Sequence, residues 1–301
     1  MNRKIISEIL TGHWCINREW ADAHLPLVIA LLNGNNPISF VERTGNQGIE
    51  MPFAIDPSTM ERTNMYYGGA PNPNIAPNSV GVIPVTGPLT YYNGDCGEPG
   101  MMQRTNWLAD MQKRENISAI VQLMDTPGGV SNGAVHYVSQ MKKSKKPILS
   151  YVDQMCASLG IWLSAQSDET YVGHDFASMG SIGSFCRIVD ISGALEKNGI
   201  KIIDIYAPQS TDKNKEYNDA LNGDNSAIEE ELGKYVDAFI KHVSTSGGNT
   251  MRADTARANV KEWNSGKMFN GGDAVKVGLA DGIRPFDQVV SKAAWLAKRK
   301  N

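Results

Sequence analysis

The chain has 301 residues, 41% of them hydrophobic and 20% charged, which supplies a sizeable core and excludes wholesale disorder. Lys and Arg total 29 against 32 Asp and Glu, and a formal net charge of −3 argues against a protein that holds nucleic acid by its phosphates. No run approaches the roughly 20 apolar residues of a membrane-spanning helix, Glu8 interrupts the one N-terminal apolar stretch that resembles a signal peptide, and the four cysteines share no metal-ligand spacing.

Taken in chain order, residues 1–79 read as an appendage and linker. Ala21 to Leu32 is a short helical run interrupted by Pro26, and Ala70 to Ser79 is rich in Pro and Asn. Residues 80–301 alternate strand and helix signals. Val82 to Leu89 predicts a strand and Met101 to Glu115 a helix. Ala119 to Met124 is an apolar run suited to a buried strand. Ser131 to Lys145 is amphipathic, with Val135, Val138 and Met141 on one face. Pro147 to Val152 predicts the next strand, Cys156 to Ala165 a buried helix and Thr170 to Gly173 a short strand. Ile188 to Asn198 then predicts a helix and Ile200 to Tyr206 a strand. Ser226 to Val243 carries an apolar stripe at 3.6-residue spacing that marks core or a subunit interface, and Gly247-Gly248 ends it. This alternation predicts an α/β protein with parallel strands joined by right-handed crossovers.

Three strand-to-helix corners carry chemistry, because ligands in such sheets bind beyond the strand C-termini, beside helix N-termini. At Asp125-Thr126-Pro127-Gly128-Gly129, two glycines let backbone N–H groups face outward, as an oxyanion requires. The ordinary alternative is a turn. At Met155-Cys156-Ala157-Ser158-Leu159-Gly160, a serine among small residues opens a helix, where the dipole favours developing negative charge. Its ordinary alternative is an N-cap. Met179-Gly180-Ser181-Ile182-Gly183-Ser184 implies close backbone packing with a hydroxyl available. None of the five histidines (His13, His24, His136, His174, His242) adjoins a glycine corner. The alternative base for a serine nucleophile is a lysine kept neutral by burial, and Lys213 and Lys215 follow the strand expected at Ile200 to Tyr206.

The order Thr126-Pro127-Gly128-Gly129, then Ala157-Ser158-Leu159-Gly160, then Gly180-Ser181-Ile182-Gly183, then a strand and a lysine, resembles the signal peptide peptidase A family. Within it the chain is most similar to the phage head-maturation (capsid assembly) proteases. Ala194 to Ile200 and Gly278 to Gly282 extend the similarity, which runs from Val80 to Ile283. The resemblance implies a ClpP/crotonase-like spiral of ββα units with a helical C-terminal part, assembled into homo-oligomeric rings or domes. It also implies a Ser/Lys dyad that needs no metal and no cofactor.

Carried over by position, Ser158 is the nucleophile and Lys213 the general base, with Ser181 hydrogen-bonded to the lysine. Gly128 and Gly129, with the N–H of Leu159, form the oxyanion site. Leu159 stands where many members have Gly or Ala, Thr126 where Ser is usual, and the segment Ala207 to Asp212 replaces a shorter Gly-rich bend, so Lys215 remains a second candidate base. The lack of an N-terminal anchor, as in the membrane-associated branch, points to a phage or prophage enzyme. It would act on capsid or scaffold protein in the host cytoplasm, inside proheads included, and would contact neither membrane nor nucleic acid. The basic helix expected at Ser291 to Lys300 leaves no scaffold extension after it. Two rivals stand beside this reading: a catalytically silent prohead assembly protein, and a crotonase-type acyl-CoA enzyme, for which Asp125 has no paired Glu.

Overall fold

A computed structural model describes residues 14–16, 51–94, 98–188, 190, 192–201, 203–245 and 250–300. The helix expected at Ala21 to Leu32 and the stop at Gly247-Gly248 lie outside the described residues. Chain order begins with β1 (Trp14–Ile16), β2 (Phe53–Ile55), β3 (Arg62–Asn64), β4 (Tyr66–Tyr67), β5 (Ala70–Pro71) and β6 (Ser79–Thr86). It continues with α1 (Met101–Lys113), β7 (Ile117–Thr126), β8 (Gly128–Val130), α2 (Asn132–Lys142), β9 (Ile148–Ala157), α3 (Leu159–Ala165), β10 (Glu169–Val172) and β11 (Ser178–Gly180). Then follow α4 (Ser192–Lys197), α5 (Lys215–Leu221), α6 (Ser226–Thr245), α7 (Thr250–Ala258), α8 (Val260–Trp263), β12 (Met268–Asn270), α9 (Gly271–Lys276), β13 (Gly282–Ile283) and α10 (Phe286–Lys300).

The centre of the sheet is the parallel run β6–β7–β9. Its strands are near-continuous apolar segments because both faces are covered. On one face Ile83, Val85, Ile120, Met124 and Val152 pack against Trp107, Leu108 and Met111 of α1, Tyr137 and Met141 of α2, and Leu159 and Leu163 of α3. On the other, Val80, Val82, Val121, Leu149 and Tyr151 meet Val289, Val290, Ala293 and Ala297 of α10. One polar exception crosses the first face: the Gln122 amide donates to Ser150 Oγ (3.0 Å) and Ser167 Oγ (2.9 Å), joining β7, β9 and the turn before β10.

β9 is longer than expected, because it forks. Leu149–Val152 pairs with β10, and Met155–Ala157 pairs with β11, so the strand runs through Asp153 and Gln154 to the residue before Ser158. The helix expected from Cys156 therefore starts at Leu159. β12 closes β11 in antiparallel pairing. Beneath this edge, buried Arg252 of α7 donates to Asp281 Oδ2 (3.0 Å) and to the Ser167 carbonyl (3.0 Å), which ties α7 to the β10 end of the sheet.

Four expectations change. Residues 51–79, read as appendage and linker, contribute β2 and β3 to the same sheet: β2 pairs antiparallel with β6, and Ile75 is buried. Their short apolar triplet (Phe53, Ala54, Ile55) is too brief to stand out among turn residues. In α2, Val135 is exposed, and the buried face is Ala134, Tyr137, Val138 and Met141. The strand expected at Ile200 to Tyr206 is absent among the described residues, with Ile203 69% and Ile205 89% exposed. β-branched residues form a strand only where a partner edge accepts them, and β12 already occupies the edge of β11. The helix expected at Ile188 to Asn198 contracts to α4, which buries no residue.

Candidate active site

The first two corners meet because β7 and β9 are neighbours. Thr126 is the register partner of Cys156, and Gly128 and Ser158 each follow two residues later. The Thr126 hydroxyl donates to the Gly87 carbonyl (2.6 Å) and accepts from the Gly128 N–H (3.1 Å), which sets the turn through Pro127. Its methyl group lies where a Cβ at Gly160 would come within 2.7 Å, so the glycine two residues after Ser158 is what lets α3 approach the first corner.

Gly128 has φ 98°, a left-handed value that favours glycine. Gly129 answers a different constraint: a Cβ there would sit 2.0 Å from the Leu89 carbonyl oxygen. Leu89 donates its N–H to the Gly128 carbonyl (2.8 Å) and accepts from the Val130 N–H (2.9 Å). Both contacts lie on one edge of β8, so strand alternation turns the Gly129 N–H toward the other edge.

Ser158 adopts φ 50°, ψ −114°, outside the regions a side chain ordinarily allows. Such a conformation costs about 1–3 kcal/mol and persists where surroundings over-determine it. Here its N–H donates to the Gly180 carbonyl (2.7 Å), and its own carbonyl accepts the Ile161 N–H (2.8 Å). The residue is 1% exposed, and its hydroxyl makes no hydrogen bond. An N-cap serine would spend that hydroxyl on the first turn of its helix; Ser158 does not. α3 begins at Leu159, so the N–H groups of Leu159 and Gly160 precede its first intrahelical bond. Two residues before it, burial pushes the Cys156 thiol up to about 12, which leaves it protonated and inert as a nucleophile.

The third corner completes the floor. Gly180 (φ 139°) would place a Cβ 2.3 Å from the Lys267 carbonyl, and Ser181 (φ 55°) donates its N–H to that same oxygen (2.9 Å). The 178–180 strand on β9 thus sets Ser181 one residue beyond the carbonyl that anchors Ser158. Leu89 and Lys267 hold these corners through their main-chain carbonyls, a role with no sequence signal because any residue supplies a carbonyl. Asp125, the residue before the end of β7, is pushed up by partial burial and by Asp153, against a hydrogen bond from the Met155 backbone.

The structure therefore gathers Ser158, Gly128, Gly129, Leu159 and Ser181 at one end of the sheet. It does not bring Lys213 there. Lys213 stands in an exposed turn, its N–H on the Ser210 carbonyl (3.3 Å), and Lys215 pairs with Asp219 on the surface of α5. No described histidine bonds the Ser158 hydroxyl: His242 stacks on Trp162 (centroids 4.6 Å), and His136 is exposed. Among the described residues no group of His, Cys, Asp or Glu could hold a metal ion, and no helix is long and apolar enough to cross a membrane.

Comparison with known proteins places the chain in a family. The chain is 25% identical over 199 residues to a protein assigned as a protease in Methanocaldococcus jannaschii, covering 65% of this chain and 61% of that protein. It is 27% identical over 274 residues to a protein assigned as signal peptide peptidase SppA in Enterococcus faecium, covering 86% and 73%. Capsid assembly protease C of Escherichia phage lambda is 26% identical over 215 residues, covering 68% of this chain and 46% of its own length. Among solved structures, a mutant of the 1510-N membrane-bound stomatin-specific protease overlays with TM-score 0.44 at 18% identity, covering 72% of this chain and 85% of that one. An enoyl-CoA hydratase/isomerase family protein from Silicibacter pomeroyi overlays with TM-score 0.43 at 13% identity, covering 73% and 78%. The sequence profile of Peptidase family S49 matches residues 140–300, more than half of the chain, from the end of α2 through α10. The chain belongs to Peptidase family S49, a family of serine peptidases.

Proposed function

We propose that the chain is a serine endopeptidase that cleaves through an acyl-enzyme on Ser158. The observation that carries this reading is the Ser158 hydroxyl itself: buried, unpartnered, held at positive φ at a helix N-terminus and flanked by a two-glycine strand. Conformational strain and an unsatisfied buried hydroxyl both cost stability, and both are what a pre-organised nucleophile requires.

In the proposed reaction a neutral lysine amine takes the Ser158 proton as Oγ attacks the scissile carbonyl. The oxyanion is received by the N–H groups of Gly129 and Leu159. The resulting ammonium protonates the leaving amine, the C–N bond breaks, and water then hydrolyses the ester, its proton passing back through the same lysine. Lys213 is the proposed base, with Ser181 orienting it. In the isolated chain Lys213 is exposed, so the proposal requires the segment from Asn198 to Lys215 to fold over the site when copies of the chain assemble. The exposed Ile200, Ile203 and Ile205 on that segment favour such docking. It would also take the lysine out of water and disfavour its charged form.

The similarity to capsid assembly protease C supports capsid protein as substrate, and the proposed reading extends to scaffold protein and to a homo-oligomer working in the cytoplasm of a phage host. One observation favours a second reading, a catalytically silent assembly protein: among the described residues no base hydrogen-bonds the Ser158 hydroxyl. Intact-mass spectrometry of wild type and Ser158→Ala, each incubated with casein and with the neighbouring capsid protein, separates the two. Fragments in the wild type only are the expected result. Identical masses with both substrates would leave the silent role.

A further inference from the structure

β8 has two edges, and both are taken within this chain. Leu89 holds one through the hydrogen bonds to Gly128 and Val130. On the other, β1 pairs antiparallel, with Trp14 opposite Val130, Cys15 opposite Gly129 and Ile16 opposite Gly128. A peptide substrate whose carbonyl is to reach the Gly129 N–H has to approach along the edge that β1 occupies, because the Leu89 edge leaves no room even for a Cβ.

We propose that β1 occupies the substrate-strand position of this site, so that the chain carries its own blocking segment and extended polypeptide binds by replacing it. This rests on the reading of Ser158 and Gly129 as the catalytic corner. Three features of β8 carry it. The strand is only three residues long and two of them are glycines, so its edge offers main-chain donors and acceptors with no side chains to obstruct a ladder. Alternation puts both the N–H and the C=O of Gly129 on the β1 side, opposite Cys15, so the blocking strand and a substrate carbonyl compete for the same N–H. The buried Ser158 hydroxyl, unpartnered, belongs to the adjoining corner through the Thr126–Cys156 register. The substrate class that follows is an unfolded or extended segment, recognised through its main chain, because a folded surface cannot replace a β-strand.

The test uses the full chain with one residue changed. Cys15→Pro removes the N–H that pairs with β8, whereas Cys15→Ala keeps it. Binding of fluorescein-labelled casein is measured by anisotropy on the Ser158→Ala background, so that no cleavage is involved. Cys15→Pro is expected to bind casein about fivefold more tightly or better, since at least one ladder hydrogen bond of the blocker is lost, while Cys15→Ala binds as the parent does. A synthetic peptide spanning residues 11–20 is expected to displace casein from the Cys15→Pro protein. Equal affinity in all three proteins overturns the inference. In the Ser158-intact background the same substitution is expected to lower KM with kcat unchanged. Cleavage without any Cys15→Pro effect would refute the blocker alone. An affinity gain without cleavage in any variant would refute the peptidase reading and leave the blocker standing.

Discussion

The corner around Ser158 and the arm from residue 185 to residue 225 are built on opposite principles. In the corner every backbone choice is dictated by a neighbour: Gly129 by the Leu89 carbonyl, Gly160 by the Thr126 methyl, Gly180 by the Lys267 carbonyl. In the arm almost nothing is dictated. α4 and α5 bury no residue, Gly223 has open space around its would-be Cβ, and isoleucines face water. The corner shows how a sheet fixes a strained serine through main-chain contacts alone. The arm shows apolar residues and a lysine that stay exposed among the described residues.

The largest effects should separate the two regions by activity alone. Ser158→Ala is expected to abolish casein cleavage while the Tm holds or rises slightly, since a buried unpaired hydroxyl is removed. Ser158→Gly, freed from the positive-φ penalty, should be more stable than Ala by about 1 kcal/mol in denaturant melts. Lys213→Ala should lower kcat by about 10²–10⁴ with an unchanged melting curve. Lys215→Ala should cost neither, because its exposed pair with Asp219 is worth about 0.3–0.5 kcal/mol. Normal cleavage by Lys213→Ala, with loss in Lys215→Ala, would move the base by two positions.

A stability contrast comes next. Gly129→Ala drives a Cβ into a backbone carbonyl and should cost about 3 kcal/mol or more, whereas Gly223→Ala, at φ 93° in open space, should cost about 1 kcal/mol. Comparable losses would mean that the corner relaxes as freely as the arm. Ile205→Asp should leave the Tm of the chain unchanged and shift its sedimentation toward the monomer. A lowered Tm without that shift would show that the arm packs on its own chain.

The smallest effect is a pH dependence. The Asp125 carboxyl is raised above its ordinary range in the fold, so between those two values the folded protein binds more protons than the unfolded one. Its contribution to stability accordingly falls as pH rises through that window and stays lost above it. Asp125→Asn should therefore raise the Tm at neutral pH, by an amount that disappears on acidification below the ordinary aspartate range.

The parts of the fold that were legible in the sequence are those where local chemistry and burial agree. Ala119 to Met124 is apolar but for Gln122 because β7 is covered on both faces, and the glycine corners stand out because backbone approaches there exclude a Cβ. The illegible parts are non-local. Nothing in Trp14-Cys15-Ile16 announces a partner at Gly128–Val130, and β2 is three residues inside a stretch of turn-formers. Ile200 to Tyr206 has strong β-propensity and no strand to join, so propensity there misleads. The same holds along α6, whose stripe is fully buried only at Phe239 and Val243 and half-exposed at Ile228, Leu232 and Tyr235: periodicity marks an apolar face and says nothing of what covers it.

The Gln122 amide between Ser150 and Ser167 has a consequence for the register of the sheet that carries Ser158. β6, β7 and β9 are rich in Val, Ile, Leu and Met, side chains that could slide past one another with little loss of hydrocarbon contact. A slip of β7 against β9 would leave that amide in an apolar layer without its hydroxyl partners, at a cost of about 1–3 kcal/mol. The amide thus acts as an alignment mark: it penalises a slip of β7 against β9 over the stretch where Gln122 faces Ser150, the stretch that leads into the register shift beyond which Thr126 faces Cys156.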